Sequence, residues 1–134
     1  MIKNRNERND VHEVTQLVLS LLGLIVFPWE ALALKSLESL CLSELEEDGW
    51  PRWNILLDEK GDTNTLGKLS WHLRNAISHR RLRFFSEDQE MDKVEIEFED
   101  APQKAPINWR ATINAKDLKS FCDRFTKRLE ELVD

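Results

Sequence analysis

One change of period limits the folds open to this chain. Up to His79 the apolar residues recur every three or four positions, and beyond it they alternate. Leu66, Leu69, Leu73, Ala76 and Ile77 share one face of a helix predicted over about Asn64 to His79. After His79, Leu82 and Phe84 alternate with Arg81, Arg83 and Phe85. Val94, Ile96 and Phe98 alternate with Glu95, Glu97 and Glu99, and Trp109, Ala111 and Ile113 with Arg110, Thr112 and Asn114. Side chains of a strand point to opposite faces in turn, so three short antiparallel strands are predicted. The acidic loop Ser86 to Lys93 joins the first two.

Helices are predicted on both sides of this region. A first helix is expected from Asn9 or Asp10, where Asp10 and Glu13 have capping-box spacing, and Pro28 is expected to stop it or bend it sharply. It is apolar nearly all round, as a central or interface helix is. A second is expected over about Trp29 to Glu47, stopped by Asp48-Gly49-Trp50-Pro51. A loop carrying Trp53, Ile55, Leu56 and Leu57 down onto the core follows, then a turn at Lys60-Gly61-Asp62. A last helix is expected from Asn114 or Ala115, with an apolar stripe of Leu118, Phe121, Cys122, Phe125, Leu129 and Leu132. No repeat or linker is visible, so the expectation is one mainly α domain over residues 1–134: about four helices with a small insert of about three antiparallel strands before the last helix.

Charge narrows the function. The net charge is −6, yet Thr63 to Ser86 holds no acid and carries +5 from Lys68, Arg74, Arg80, Arg81 and Arg83, so the remainder carries −11. A locally basic site on an acidic body is expected. Cys41 and Cys122 lie in apolar helical patterns and are expected as reduced thiols. No Cys/His ligand spacing appears, so neither a metal nor a cofactor is expected. The N-terminal residues are too polar for a secretory signal, and the longest apolar run, Leu17 to Trp29, is too short for a bilayer, which needs about 20 residues. A cytoplasmic protein without membrane contact is expected.

The residues with chemical capacity end the predicted helix at 64–79. Lys68, His72, Asn75 and His79 form a polar stripe, with Arg74 and Ser78 beside it. A histidine can take or give a proton near neutral pH, and a guanidinium binds phosphate through paired hydrogen bonds. Five residues separate Arg74 from His79, about 140° around a helix, so one helix does not present both to the same atom. Two copies meeting on a two-fold axis place both pairs around one cleft. Trp71 lies off the predicted core face and suits a subunit interface or base stacking.

Arg74-Asn75-Ala76-Ile77-Ser78-His79, near the end of a helix, resembles the motif of the HEPN superfamily: an Arg, a polar residue, three variable residues and a His. Leu73, the basic turn Arg80-Arg81 and the apolar first helix running into Val26-Phe27-Pro28 also resemble such proteins. The resemblance implies a dimeric helical bundle that acts as a metal-independent endoribonuclease and leaves 2′,3′-cyclic phosphate ends. It implies His79 as the acid/base residue, Arg74 as the phosphate ligand and Asn75 as their support. Lys68, His72, Arg80, Arg81 and Arg83 are expected along the RNA, and Trp71 at the dimer interface. A role as a toxin or phage-defence effector, held by an antitoxin protein, is implied in the same way.

Plainer readings stand beside these. His79 at a helix end favours the dipole when charged. Arg80, Arg81 and Arg83 also suit a charged strand edge that discourages aggregation. The acids of the 86–93 loop lack calcium-site spacing, and Glu95, Glu97 and Glu99 are expected to face solvent. The competing function is a non-catalytic module that binds nucleic acid or nucleotide, or a scaffold.

Overall fold

The computed structural model describes residues 15–21, 23, 37–86 and 93–133. Residues 15–21 are helical. Then follow α1 (Leu42–Glu47), β1 (Asn54–Asp58), α2 (Leu66–Ser78), β2 (Leu82–Ser86), β3 (Val94–Asp100), β4 (Trp109–Asn114) and α3 (Ala115–Val133). The expected start of the first helix, its end at Pro28 and most of the acidic loop lie outside the described residues.

The four strands form one antiparallel sheet in the order β1-β4-β3-β2. This corrects the expected mainly α bundle with a three-stranded insert. The fold is mixed, with a four-stranded sheet as one wall of its core. The additional strand is β1, in the stretch around Trp53 to Leu57 expected as a loop. Its register slips between Ile55 and Leu57, where two residues face one on β4. Leu56 points to solvent between the half-buried Ile55 and Leu57, and this apolar residue on the outer face hides the alternation by which a strand is read.

One face of the sheet is apolar because β3 and β4 keep period two. Val94, Ile96 and Phe98 are buried, as are Trp109, Ala111 and Ile113. Leu66, Leu69, Leu73 and Ala76 of α2 and Leu118, Phe121 and Phe125 of α3 pack against them. Burying each large side chain of this set contributes roughly 1.5–3 kcal/mol before entropy is charged. Trp50 and Trp53 close one side by edge-to-face contacts, Trp53 on both Phe98 and Phe121. Val18 and Leu21 join the same core from the N-terminal helical segment.

Both ends of α2 are fixed. At its start, Thr65 Oγ1 accepts the Lys68 N–H. Leu66 N–H donates to Leu40 O, and Leu42 N–H to Asn64 O. Those bonds explain a second correction. Residues 39–41 are not helical, so the helix expected to run unbroken to Glu47 stops and restarts, with Cys41 extended and bridged to Thr65. The approach is close enough that a Cβ on Gly67 would meet Glu38 at 3.0 Å.

The far end of α2 closes by a two-bond cap. Arg81 N–H donates to Ala76 O at 2.8 Å and Arg80 N–H to Ile77 O at 3.1 Å, with Arg80 left-handed at φ 58°. Glycine usually occupies that position, so an arginine there is strained.

Candidate functional site

The capped end of α2 carries the candidate motif. His79 is the C-cap residue. Its side chain is exposed and makes no hydrogen bond or ion pair among the described residues. Arg74 is half-buried and lines an open groove of about 540 Å³ with Trp71, Lys68, Lys60 and Glu38. Asn75 turns elsewhere: its Nδ2 donates to Asp100 Oδ2 at 3.3 Å. One chain therefore points the three motif side chains three ways, as the five-residue spacing requires.

The other expected contacts divide. Lys68 is exposed but lies 3.8 Å from Asp62 Oδ2. Arg80 is exposed. Arg81 is half-buried, and its Nη1 is buried without a hydrogen-bond partner among the described residues. Arg83 is exposed and reaches Glu99 at 3.7 Å. Glu99 is itself buried and takes two hydrogen bonds from Arg110, at 2.7 and 3.1 Å. That pairing raises the Arg110 pKa through the hydrogen bond and the charge of Glu99. The acidic strand face, expected in solvent, is thus partly covered by arginines, and part of the basic stretch is neutralised locally. Trp71 is 41% exposed, with the Lys60 ammonium 5.7 Å from its ring.

His72 departs most from expectation. Placed by the sequence on the polar stripe as an RNA contact, it is only 2% exposed. Its ring stacks on Trp109 at 4.6 Å and 6°, and its Nδ1 lies 2.8 Å from Asp100 Oδ2. A side chain so enclosed is not available to a nucleic acid backbone. The stripe turns inward here because β3 ends in an acid that it can meet.

That acid, Asp100, is the site residue the sequence reading missed. It accepts from His72, from Asn75 and, through Oδ1, from the Ala101 N–H. A signal was present: alternation places residue 100 on the buried face with Val94, Ile96 and Phe98, where an aspartate needs partners. Cys41 and Cys122 are both free. Burial, helped by Asp123, pushes the Cys122 thiol up to about 12, so it is inert at neutral pH.

The whole chain, residues 1–134, matches the family described as HEPN pEK499 p136. The chain belongs to this HEPN family. HEPN domains are generally ribonucleases, so this HEPN chain is a nuclease-type module at the level of its family. No curated protein and no solved structure matches it. Among the described residues of this HEPN protein, no helix is long and apolar enough to cross a membrane.

Proposed function

We propose that this HEPN module is a metal-independent endoribonuclease whose active site forms between two copies of the chain. The observation that carries the reading is the free, exposed imidazole of His79 at the end of α2, five residues after Arg74 in a whole-chain HEPN match. Transesterification needs a base for the 2′-hydroxyl proton, an acid for the departing 5′-oxygen and positive charge at the phosphorane. The 2′-oxygen attacks phosphorus and the bond to the 5′-oxygen breaks, leaving a 2′,3′-cyclic phosphate and a 5′-hydroxyl. A two-fold pair supplies two His79 rings, one for each proton, and two Arg74 guanidinium groups for the charge. Asn75, anchored by Asp100, supports that arrangement.

In this reading Trp71 lies at the subunit contact, and Lys68, Arg80, Arg81 and Arg83 guide the RNA backbone. A free nuclease of this kind slows growth in the cytoplasm unless a partner protein restrains it. Expression of the intact chain is expected to arrest growth, and Arg74→Ala or His79→Ala to relieve the arrest. Equal arrest by all three proteins contradicts the reading.

The pairing of Lys68 with Asp62 and of Arg83 with Glu99 favours a second reading, a scaffold or binding module without cleavage. It predicts that His79→Ala binds RNA as well as the wild type, with a shallow salt dependence, and that neither protein cuts.

A further inference from the structure

The groups around His72 leave a gap that hydrogen bonds do not fill. Asp100 Oδ2 is a carboxylate acceptor 2.8 Å from Nδ1, so Nδ1 carries the proton. In the neutral ring Nε2 is then a lone pair. It is buried, has no hydrogen-bond partner among the described residues, and faces Asp62 Oδ1 across 3.5 Å. Asp62 Oδ1 is buried and also lacks a hydrogen bond among the described residues. Two acceptors enclosed face to face repel unless something positive lies between them.

A third ligand stands beside them. Asp58, His72 and Asp62 each offer one atom, and the three atoms lie within 4.8 Å of one another. We propose that Asp58, Asp62 and His72 bind a divalent cation of the zinc or manganese type. Ligands about 2.0–2.1 Å from a tetrahedral zinc sit roughly 3.3 Å apart, close to the 3.5 Å between Nε2 and Asp62 Oδ1. One imidazole with two carboxylates suits these metals better than magnesium, which takes oxygen ligands in an octahedron.

The surroundings are those of a built site. Asp100 orients the imidazole from behind, as a carboxylate beyond a ligating histidine does, and Trp109 holds the ring plane. The Thr63 N–H donates to Asp58 Oδ2, and Thr63 Oγ1 in turn accepts from Trp109 Nε1. Three carboxylates, Asp58, Asp62 and Asp100, thus meet one imidazole. Among the described residues, Lys68 lies 3.8 Å from the outer oxygen of Asp62. A doubly charged ion balances this set better than a single proton on His72. Its role is structural: it ties the loop after β1 to the middle of α2. The proposal stands apart from the nuclease reading and holds or fails independently of it.

The test uses the full chain, stripped with EDTA and freed of chelator, titrated with Zn²⁺ by calorimetry and with Co²⁺ by visible absorption. One Zn²⁺ per chain is expected, with a rise in Tm and cobalt d–d bands. Asp58→Asn and Asp62→Asn, at half-exposed positions where folding is least at risk, are each expected to weaken binding at least about 10-fold. Magnesium is expected to do nothing. No binding by the wild type overturns the proposal and leaves a protonated His72 between its carboxylates. Equal binding by wild type and both variants overturns it too, by placing the metal elsewhere on the chain.

Discussion

His72 Nδ1 and Asp100 Oδ2 lie 2.8 Å apart inside the protein, joining the middle of α2 to the last residue of β3. The same carboxylate oxygen accepts from Asn75, one turn before His79. A buried hydrogen bond to a carboxylate therefore carries the register between the sheet and the motif helix. Removing the carboxylate leaves its buried donors unsatisfied, at about 1–3 kcal/mol for each. Asp100→Ala is expected to lower unfolding stability by about 3 kcal/mol in urea titration. A loss below about 1 kcal/mol contradicts the role given to Asp100.

The cap of α2 offers a change in the opposite direction. Arg80 holds a left-handed backbone at φ 58°, a conformation that disfavours side chains by about 1–2 kcal/mol. Arg80→Gly is expected to raise stability by about 1 kcal/mol, because the relief exceeds glycine's entropy. Urea midpoints of Arg80→Gly and Arg80→Ala measure it, and alanine, which keeps the strain, is expected to gain nothing. A stabilised Arg80→Gly that cuts RNA more weakly fits strain retained at a working site.

Glu95 gives a prediction in pH. Burial, and then the nearby charge of Asp117, raise its pKa above 4.5. A carboxyl raised on folding binds its proton more tightly in the native state, so stability falls as pH rises from the unfolded to the folded pKa. The cost is complete at pH 7 and absent well below pH 4.5. Glu95→Gln is expected to stabilise the protein at pH 7 and not at pH 3. The side chain is mostly exposed, so solvent screening limits the gain to about 0.5 kcal/mol. Thermal unfolding at the two pH values checks the sign.

Period carried the sequence reading where it was clean. The helix at 66–78, the strands at 82–86, 94–100 and 109–114 and the helix from Ala115 were legible because their apolar spacing is unbroken. The motif Arg74 to His79 was legible only through its resemblance to HEPN proteins, and the chain does belong to a HEPN family. The strand at 54–58 was not, since its outward residue, Leu56, is as apolar as the inward Ile55 and Leu57, and the mainly α expectation followed from that loss. His72 was misread as exposed because its partners, Asp62 and Asp100, are remote from it along the chain. Helical spacing knows nothing of a carboxylate 28 residues away. Even there one mark was visible, an aspartate on the inward phase of an otherwise apolar strand.

The measurement that bears most directly on the central claim is cleavage of mixed cellular RNA in EDTA, by protein first confirmed as folded under those conditions. Wild type is run beside His79→Ala. The wild type is expected to cut and to leave 2′,3′-cyclic phosphate ends, with His79→Ala slower by at least about 100-fold. Equal cutting by both proteins, or none by either, contradicts a ribonuclease centred on His79.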